Sequence, residues 1–426
     1  MLIKYFYGIL HHGNKNRNTQ LVFNNICRIK FKGSRGKITV GDEMLKIPKK
    51  EAEAVEEFHS FDAKFRVYRG HIITLELLHS NLRQLPDNFT NLKYLLDLNL
   101  SNNQLMSLPD DIENLRYLKR LYLRKNRIKT LPESLGNLAF LERLNLNENK
   151  ILSLPENFGN LTRLEDFDIE RNRLTVVPES IGNLKNLEIL NLTENNLDTL
   201  PNTIGNLSTL RILAVSDNQL TSLPENFGNI TSLQRLYLNR NKLTTLPTSF
   251  RNLVNLKILN LGKNFLTNIP EYIDNFEKLF ELNLYDNLLS SPPQNFKTLE
   301  NFSLLNIQGN PIRTLPKYLI KMYSEARLIL TNEFLTKKGE KHTYFEEQSD
   351  IEKLYKYYEK SPKALATQYI SSPASLTEDE RERLVFEASS SEIKILENNV
   401  PSNDAVLEMI RDKRTYNLPN GLKIYL

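Results

Sequence analysis

A single phase of 23 residues governs the middle of this chain. Proline stands at 86, 109, 132, 155, 178, 201, 224, 247, 270, 293 and 316, every step being 23. Asparagine keeps the same step at 103, 126, 149, 172, 195, 218, 241, 264, 287 and 310, with Ser80 in the slot one unit earlier. Eleven of the eighteen prolines share one phase, so residues 72–317 are an array of eleven units and not a set of unrelated elements. Such a period means a solenoid, in which each unit touches only its neighbours and none can bury its apolar face alone.

One unit reads Leu187-x-x-Leu190-x-Leu192-x-x-Asn195-x-Leu197-x-x-Leu200-Pro201. Leu190-x-Leu192 alternates with period two, which sends both leucines to one face of a short strand. The pair recurs from Leu75/Leu77 through Leu98/Leu100, Leu121/Leu123 and Leu144/Leu146 to Leu305/Ile307. Stacked as parallel strands, the units would close one continuous core. The asparagine falls where the strand ends and backbone groups lose their ladder partners. Its carboxamide offers them a donor and an acceptor, so its regularity is a folding requirement and not a ligand site. Proline fixes φ at the first turn of the short outer segment and gives up no needed N–H. Glu follows it at 133, 156, 179, 225 and 271, where it suits a helix N-terminus.

The phrase LPxxIGNLxxLxxLNLxxNxL resembles the intracellular, Ras-group-related class of leucine-rich repeats, which includes the Ras suppressor, Scribble and Erbin repeats. The resemblance covers about residues 72–317. It implies an α/β solenoid: a curved horseshoe with a parallel concave sheet, short helical or 3-10 segments outside, and a concave surface that binds another protein. By analogy it implies a small GTPase or a phosphatase as partner, in signal transduction. Nothing in the chain resembles the PDZ domains of such scaffolds or a cyclase domain.

The ends are read differently. Residues 1–50 carry eleven Lys or Arg against Asp42 and Glu43, leaving the rest of the chain four units negative. A basic segment over 1–48 is able to attach to nucleic acid or an anionic membrane, which is the alternative function. Its charges are scattered among Ile26, Ile29, Phe31, Ile38 and Val40, which fits a solvated or capping segment better. Residues 49–71 are expected as an N-terminal cap, with a helix on Ala52, Val55 and Phe58 and a strand over 65–68. Residues 318–344 are expected as a C-terminal cap containing an atypical last unit. Residues 345–426 are expected as a small helical extension. Ser349-x-x-Glu352 and Thr377-x-x-Glu380 read as capping boxes, a third helix runs over 403–411, and Pro362, Pro373 and Pro401 separate the pieces.

Catalysis is not expected. The nearest approach to a phosphate-binding loop, Gly8 to Lys15, has Asn14 where lysine belongs and no following Ser or Thr. His11, His12, His59, His71, His79 and His342 make no metal spacing with cysteine or carboxylates. Residues 345–426 hold no cysteine, which excludes the cysteine mechanism of some bacterial leucine-rich-repeat ubiquitin ligases. No cofactor and no metal are implied. Cys27 is the one cysteine, so no intrachain disulfide closes the ends, and a reducing, cytoplasmic setting is expected. The apolar run Tyr5 to Leu10 is too short for a secretory core or a membrane span.

Recognition should then lie in what does not repeat. Outward strand positions align in columns across a parallel stack, with strands about 4.8 Å apart. Ile189, Ile212, Ala214, Arg235, Tyr237 and Ile258 place apolar groups with Tyr and Arg where solvent is expected, the composition of a protein hot spot. Arg120, Tyr122, Arg124 and Arg143 make a basic patch beside an acidic trio, Asp166, Asp168 and Glu170. Arg143 and Asp166 are also placed to neutralise each other, and exposed pairs of that kind contribute only about 0–1 kcal/mol.

Overall fold

The computed structural model describes residues 43–292 except 57, 59, 60 and 62, residues 304–312, and residues 27–31, 37–40, 319, 328–329, 416–417 and 423–424. The chain divides into two compact units, residues 1–374 and 375–426.

In the first unit the 23-residue phase becomes a parallel sheet. Its strands are β5 (His71–Glu76), β6 (Asp97–Asn99), β7 (Arg120–Tyr122), β8 (Arg143–Asn145), β9 (Asp166–Asp168) and β10 (Ile189–Asn191). They continue as β11 (Ile212–Ala214), β12 (Arg235–Tyr237), β13 (Ile258–Asn260), β14 (Glu281–Asn283), β15 (Leu304–Asn306) and β16 (Leu328–Ile329). Each residue pairs with the one 23 positions on, as Ile189 with Ile212 and Leu190 with Leu213. The sheet stays open, and it curves as a leucine-rich-repeat solenoid. β16 pairs parallel with β15, so one further strand follows the eleventh unit.

The strand leucines, the Leu at the start of each unit and the apolar residue of each outer segment form one continuous buried column. The asparagine ladder runs beside it. Asn195 Nδ2 donates to Ile169 O at 3.0 Å and Leu192 O at 3.1 Å, while its Oδ1 accepts from Leu174 N at 3.0 Å. The same three contacts recur at Asn218 and Asn241. On the outer side, five-residue 3-10 segments such as Glu179–Asn183 follow the prolines from Pro132 to Pro270, and three-residue ones follow Pro86 and Pro109. Pro178 stands one residue before its segment and not inside the first turn, with φ −66° and ψ 151°. Its carbonyl accepts the first bond, from Ile181 N at 3.1 Å. The glycine of the repeated Gly-Asn-Leu lets successive segments approach closely. A Cβ on Gly182 would stand 2.5 Å from Thr203 O of the next unit.

At the N-terminal edge the sheet changes direction. Part of the basic segment is strand: β1 (Cys27–Phe31), β2 (Lys37–Val40) and β3 (Glu43–Lys46) continue the same sheet in antiparallel order. Between them and the repeats lie helix α1 (Lys49–Glu56) and β4 (Lys64–Tyr68). β4 pairs antiparallel with β5 through a two-residue turn, Arg69-Gly70, with φ 50° and 81°. That positive-φ pair is the kind of turn that matches strand twist. Glu51 of α1 is 3% exposed and ties helix to hairpin, accepting from Ile72 N at 2.9 Å and bonding His71 Nδ1 at 2.7 Å. Parallel strands thus end in antiparallel ones, and an apolar edge is covered.

Of the second unit, the described residues are two short strands, β17 (Tyr416–Asn417) and β18 (Lys423–Ile424), paired antiparallel. They add a strand pair to an extension expected to be helical. The three helices read between 345 and 411 lie outside the described residues.

Candidate protein-binding face

The strand register sets the expected columns side by side. Asp97, Arg120, Arg143, Asp166, Ile189, Ile212, Arg235, Ile258 and Glu281 follow one another in a single row of partners. Asn191, Ala214, Tyr237 and Asn260 form the next row.

Their exposure differs from the expectation. Ile189, Ile212 and Ile258 are half-buried, whereas Ala214, Tyr237 and Arg235 are 1%, 7% and 8% exposed. On the inside of a curve, side chains of neighbouring strands converge, so large residues in adjacent units cover one another. The centre of the face is consequently a packed, mostly apolar floor and not a freely solvated patch. Burial is the main cause that pushes the Tyr237 hydroxyl up to about 12, with Arg235 acting against it and Glu281 with it, so it stays protonated.

The charged cluster is largely self-compensated. Arg120 pairs with Asp97, its Nη2 donating to Oδ2 at 2.6 Å and its Nε standing 2.6 Å from Oδ1. Arg124 donates from Nε at 2.9 Å and Nη2 at 2.7 Å to Glu148 Oε1. Tyr122 is half-buried and Arg143 is exposed. In the acidic trio, Asp166 is half-buried while Asp168 and Glu170 are 1% and 2% exposed. Asn147 serves both of the latter, its Nδ2 donating to Asp168 Oδ2 at 2.7 Å and its Oδ1 accepting from Glu170 N at 2.7 Å. Burial dominates at Glu170. Arg171 Nε at 3.4 Å and Asn191 Nδ2 at 3.4 Å pull its pKa down, but Glu194 and Glu148 push up, and the carboxyl rises to about 8.

Two further columns were not read from the sequence. The residue before each ladder asparagine turns the chain with φ between 49° and 60° from Asn102 to Asp286. Those turns carry charges that pair between units: Lys125–Glu148 at 3.7 Å, Arg171–Glu194 at 3.0 Å, Arg240–Asp217 at 3.3 Å and Lys263–Asp286 at 3.8 Å. At the opposite ends of the strands an aromatic column runs His71, Tyr94, Tyr117, Phe140, with centroid spacings of 3.8, 6.0 and 6.1 Å. Arg163 closes it, 4.4 Å over the Phe140 ring. Both were legible in the 23-residue phase, as charged residues of both signs from 125 to 286 and as aromatics at 94, 117 and 140.

Among the described residues no three His, Cys, Asp or Glu side chains are placed to hold a metal ion, and no helix is long and apolar enough to cross a membrane.

An open parallel solenoid with an asparagine ladder and a variable inner face defines a repeat protein whose surface is built for contact. The family of leucine-rich repeat regions matches residues 63–173, 110–195, 167–241 and 202–321, and the chain belongs to that family. A leucine-rich-repeat protein of Leptospira interrogans is 31% identical, over 66% of this chain and 69% of that one, with a TM-score of 0.58. The ectodomain of the Arabidopsis thaliana receptor kinase GASSHO1/SCHENGEN3, solved with Casparian strip integrity factor 2, is 25% identical over 63% of this chain and 39% of its own, with a TM-score of 0.50. The internalin InlF of Listeria monocytogenes, at 22% identity, shares the fold over 72% of this chain and 93% of its own, with a TM-score of 0.52. No curated protein sequence is a significant match. The family's fold generally mediates protein–protein interaction, and its members are typically non-catalytic binding scaffolds.

Proposed function

We propose that this chain is a non-catalytic scaffold that binds a partner protein on its concave face, centred on Ile189, Ile212 and Ile258. The observation that carries this reading is the half-buried isoleucine row, set against Tyr237 and Arg235 at the middle of the face. A partner side chain laid there would complete burial of surface that the fold leaves part-covered, at roughly 25 cal/mol per Å² of apolar area. The charged cluster Arg120 to Glu170 contributes orientation and encounter rate more than affinity, because most of its charges are already paired. The Ras-group resemblance supports a small GTPase or a phosphatase as the partner and a cytoplasmic, signalling role. The alternative, nucleic-acid or anionic-membrane binding through residues 1–48, has less support because residues 27–46 contribute three strands to the sheet.

The test combines Ile189→Asp with Ile212→Asp in the full chain. A partner isolated with the wild-type chain should lose at least about tenfold in affinity, a cost of about 1.4 kcal/mol or more. Undiminished affinity in a variant with native circular dichroism removes this patch from the account.

A further inference from the structure

Just beyond the turn charges, each unit presents one outward residue on the asparagine-ladder side of the sheet. Three consecutive units place Arg127, Lys150 and Arg173 there, all exposed. They are held in register by one backbone bond per unit, Lys150 N to Ile128 O at 2.9 Å and Arg173 N to Ile151 O at 3.0 Å. Three like charges therefore stand about one strand spacing apart, roughly 5 Å. Like charges facing each other across neighbouring strands are destabilising unless something neutralises them. In the adjoining turn column, cations pair with acids of a neighbouring unit, as in Arg171–Glu194 and Arg240–Asp217. On the opposite lip the acids Glu142, Glu165 and Glu188 are also consecutive, but Lys119 at 2.7 Å and Arg211 at 3.4 Å neutralise the two ends. Farther along the cation column Lys242 donates to Gln219 Oε1 at 3.1 Å. Arg127, Lys150 and Arg173 have no side-chain bond or ion pair to any described residue. Folding does not account for them.

A second observation identifies what they would meet. Leu152, two residues beyond Lys150, and Val176, three beyond Arg173, are 51% and 53% exposed. Lys150 and Leu152 flank the buried Ile151, so the extended chain sends both outward. The exposed tyrosines, Tyr94 and Tyr117, lie in the column at the other ends of the strands, stacked on each other. The ridge thus combines positive charge with aliphatic surface and lacks the aromatic platform on which unpaired bases stack.

We propose that Arg127, Lys150 and Arg173, with Leu152 and Val176 beside them, form a second docking surface that takes an acidic peptide segment bearing aliphatic side chains. This surface is separate from the isoleucine row of the concave floor, and either can fail alone.

The probe is a fluorescein-labelled peptide of repeating Glu-Glu-Leu, titrated with the full chain at near-physiological and at low salt. Arg127→Glu combined with Lys150→Glu and Arg173→Glu should weaken binding by at least about tenfold and flatten its salt dependence. The neutral triple variant with Gln at the same positions should fall between. Leu152→Ser with Val176→Ser should weaken binding about threefold or more without changing the salt dependence. Lys242→Glu should change it by less than about twofold. Binding of the peptide to either triple variant as to the wild type, with circular dichroism and melting unchanged, overturns the proposal. So does tighter binding of oligouridine, or of phosphatidylserine vesicles, lost through the same three residues, because that assigns the ridge to another class of partner.

Discussion

Two buried polar side chains illustrate what single residues do in this fold. Asn195 satisfies a donor and two acceptors that the strand ending would otherwise leave unpaired. Asn195→Ala should therefore destabilise the chain by about 2–4 kcal/mol, read as a lower denaturation midpoint in urea at unchanged slope. Its role was legible in the sequence, because a folding requirement repeats wherever the fold repeats. Glu170 was legible only as a charge. Its carboxyl is forced up to about 8 by burial among neighbours brought from the ends of three strands, and no local spacing encodes that. The sign follows from linkage. From the ordinary glutamate pKa up to about 8, an unfolded chain releases the proton that the folded chain keeps, so Glu170 makes stability fall as pH rises through that interval. Glu170→Gln should therefore match the wild type near pH 4.5 and exceed it by a few kcal/mol, about 1–4, at pH 8.5. Equal pH dependence of the two melting temperatures would show that the carboxyl is ionised throughout.

At the scale of elements, strands and outer segments are set by different constraints. Three-residue strands suffice because each side chain that enters the core meets an apolar neighbour in the units before and after it, as Leu190 meets Phe167 and Leu213. The outer segments are 3-10 and not α-helical, since a five-residue run between proline and the next leucine leaves room for little more than one turn. Close approach of these segments limits the glycine. Gly182→Ala should cost about 1–3 kcal/mol, because the obstructing atom is the Thr203 carbonyl and not a movable side chain. A differential scanning calorimetry trace unchanged by this substitution would contradict the packing described. The inter-unit charge pairs at the turns are a milder device. Arg171→Ala should cost no more than about 1 kcal/mol, and less at high salt. Period and strand positions were readable from leucine spacing. The antiparallel strands over residues 27–46 were not, since their apolar residues carry no repeat and their partners, β4 and one another, are specified by the hairpins between them.

For the whole molecule, repetition makes stability nearly a sum over neighbouring interfaces. Deleting residues 196–218, one full 23-residue unit, should leave a folded chain with a lower melting temperature, because every ladder contact across the junction is re-formed by an equivalent residue. Deleting twenty residues from the same place should abolish cooperative unfolding, since the asparagine, proline and leucine columns then fall out of register. Recognition has the opposite logic. The sequence showed which residues face inward on the curved sheet, but not that curvature would bury Arg235, Tyr237, Asp168 and Glu170, because burial there depends on how neighbouring side chains converge. What remains accessible and apolar at the centre is the row Ile189, Ile212 and Ile258. Methyl nuclear magnetic resonance of the full chain, labelled at the isoleucine δ-carbons and titrated with a partner protein, addresses that row most directly. The three concave methyls should shift or broaden on binding while those of Ile181 and Ile204, buried in the outer segments, stay in place. A bound partner that leaves all three concave methyls unchanged would contradict the assignment of this face.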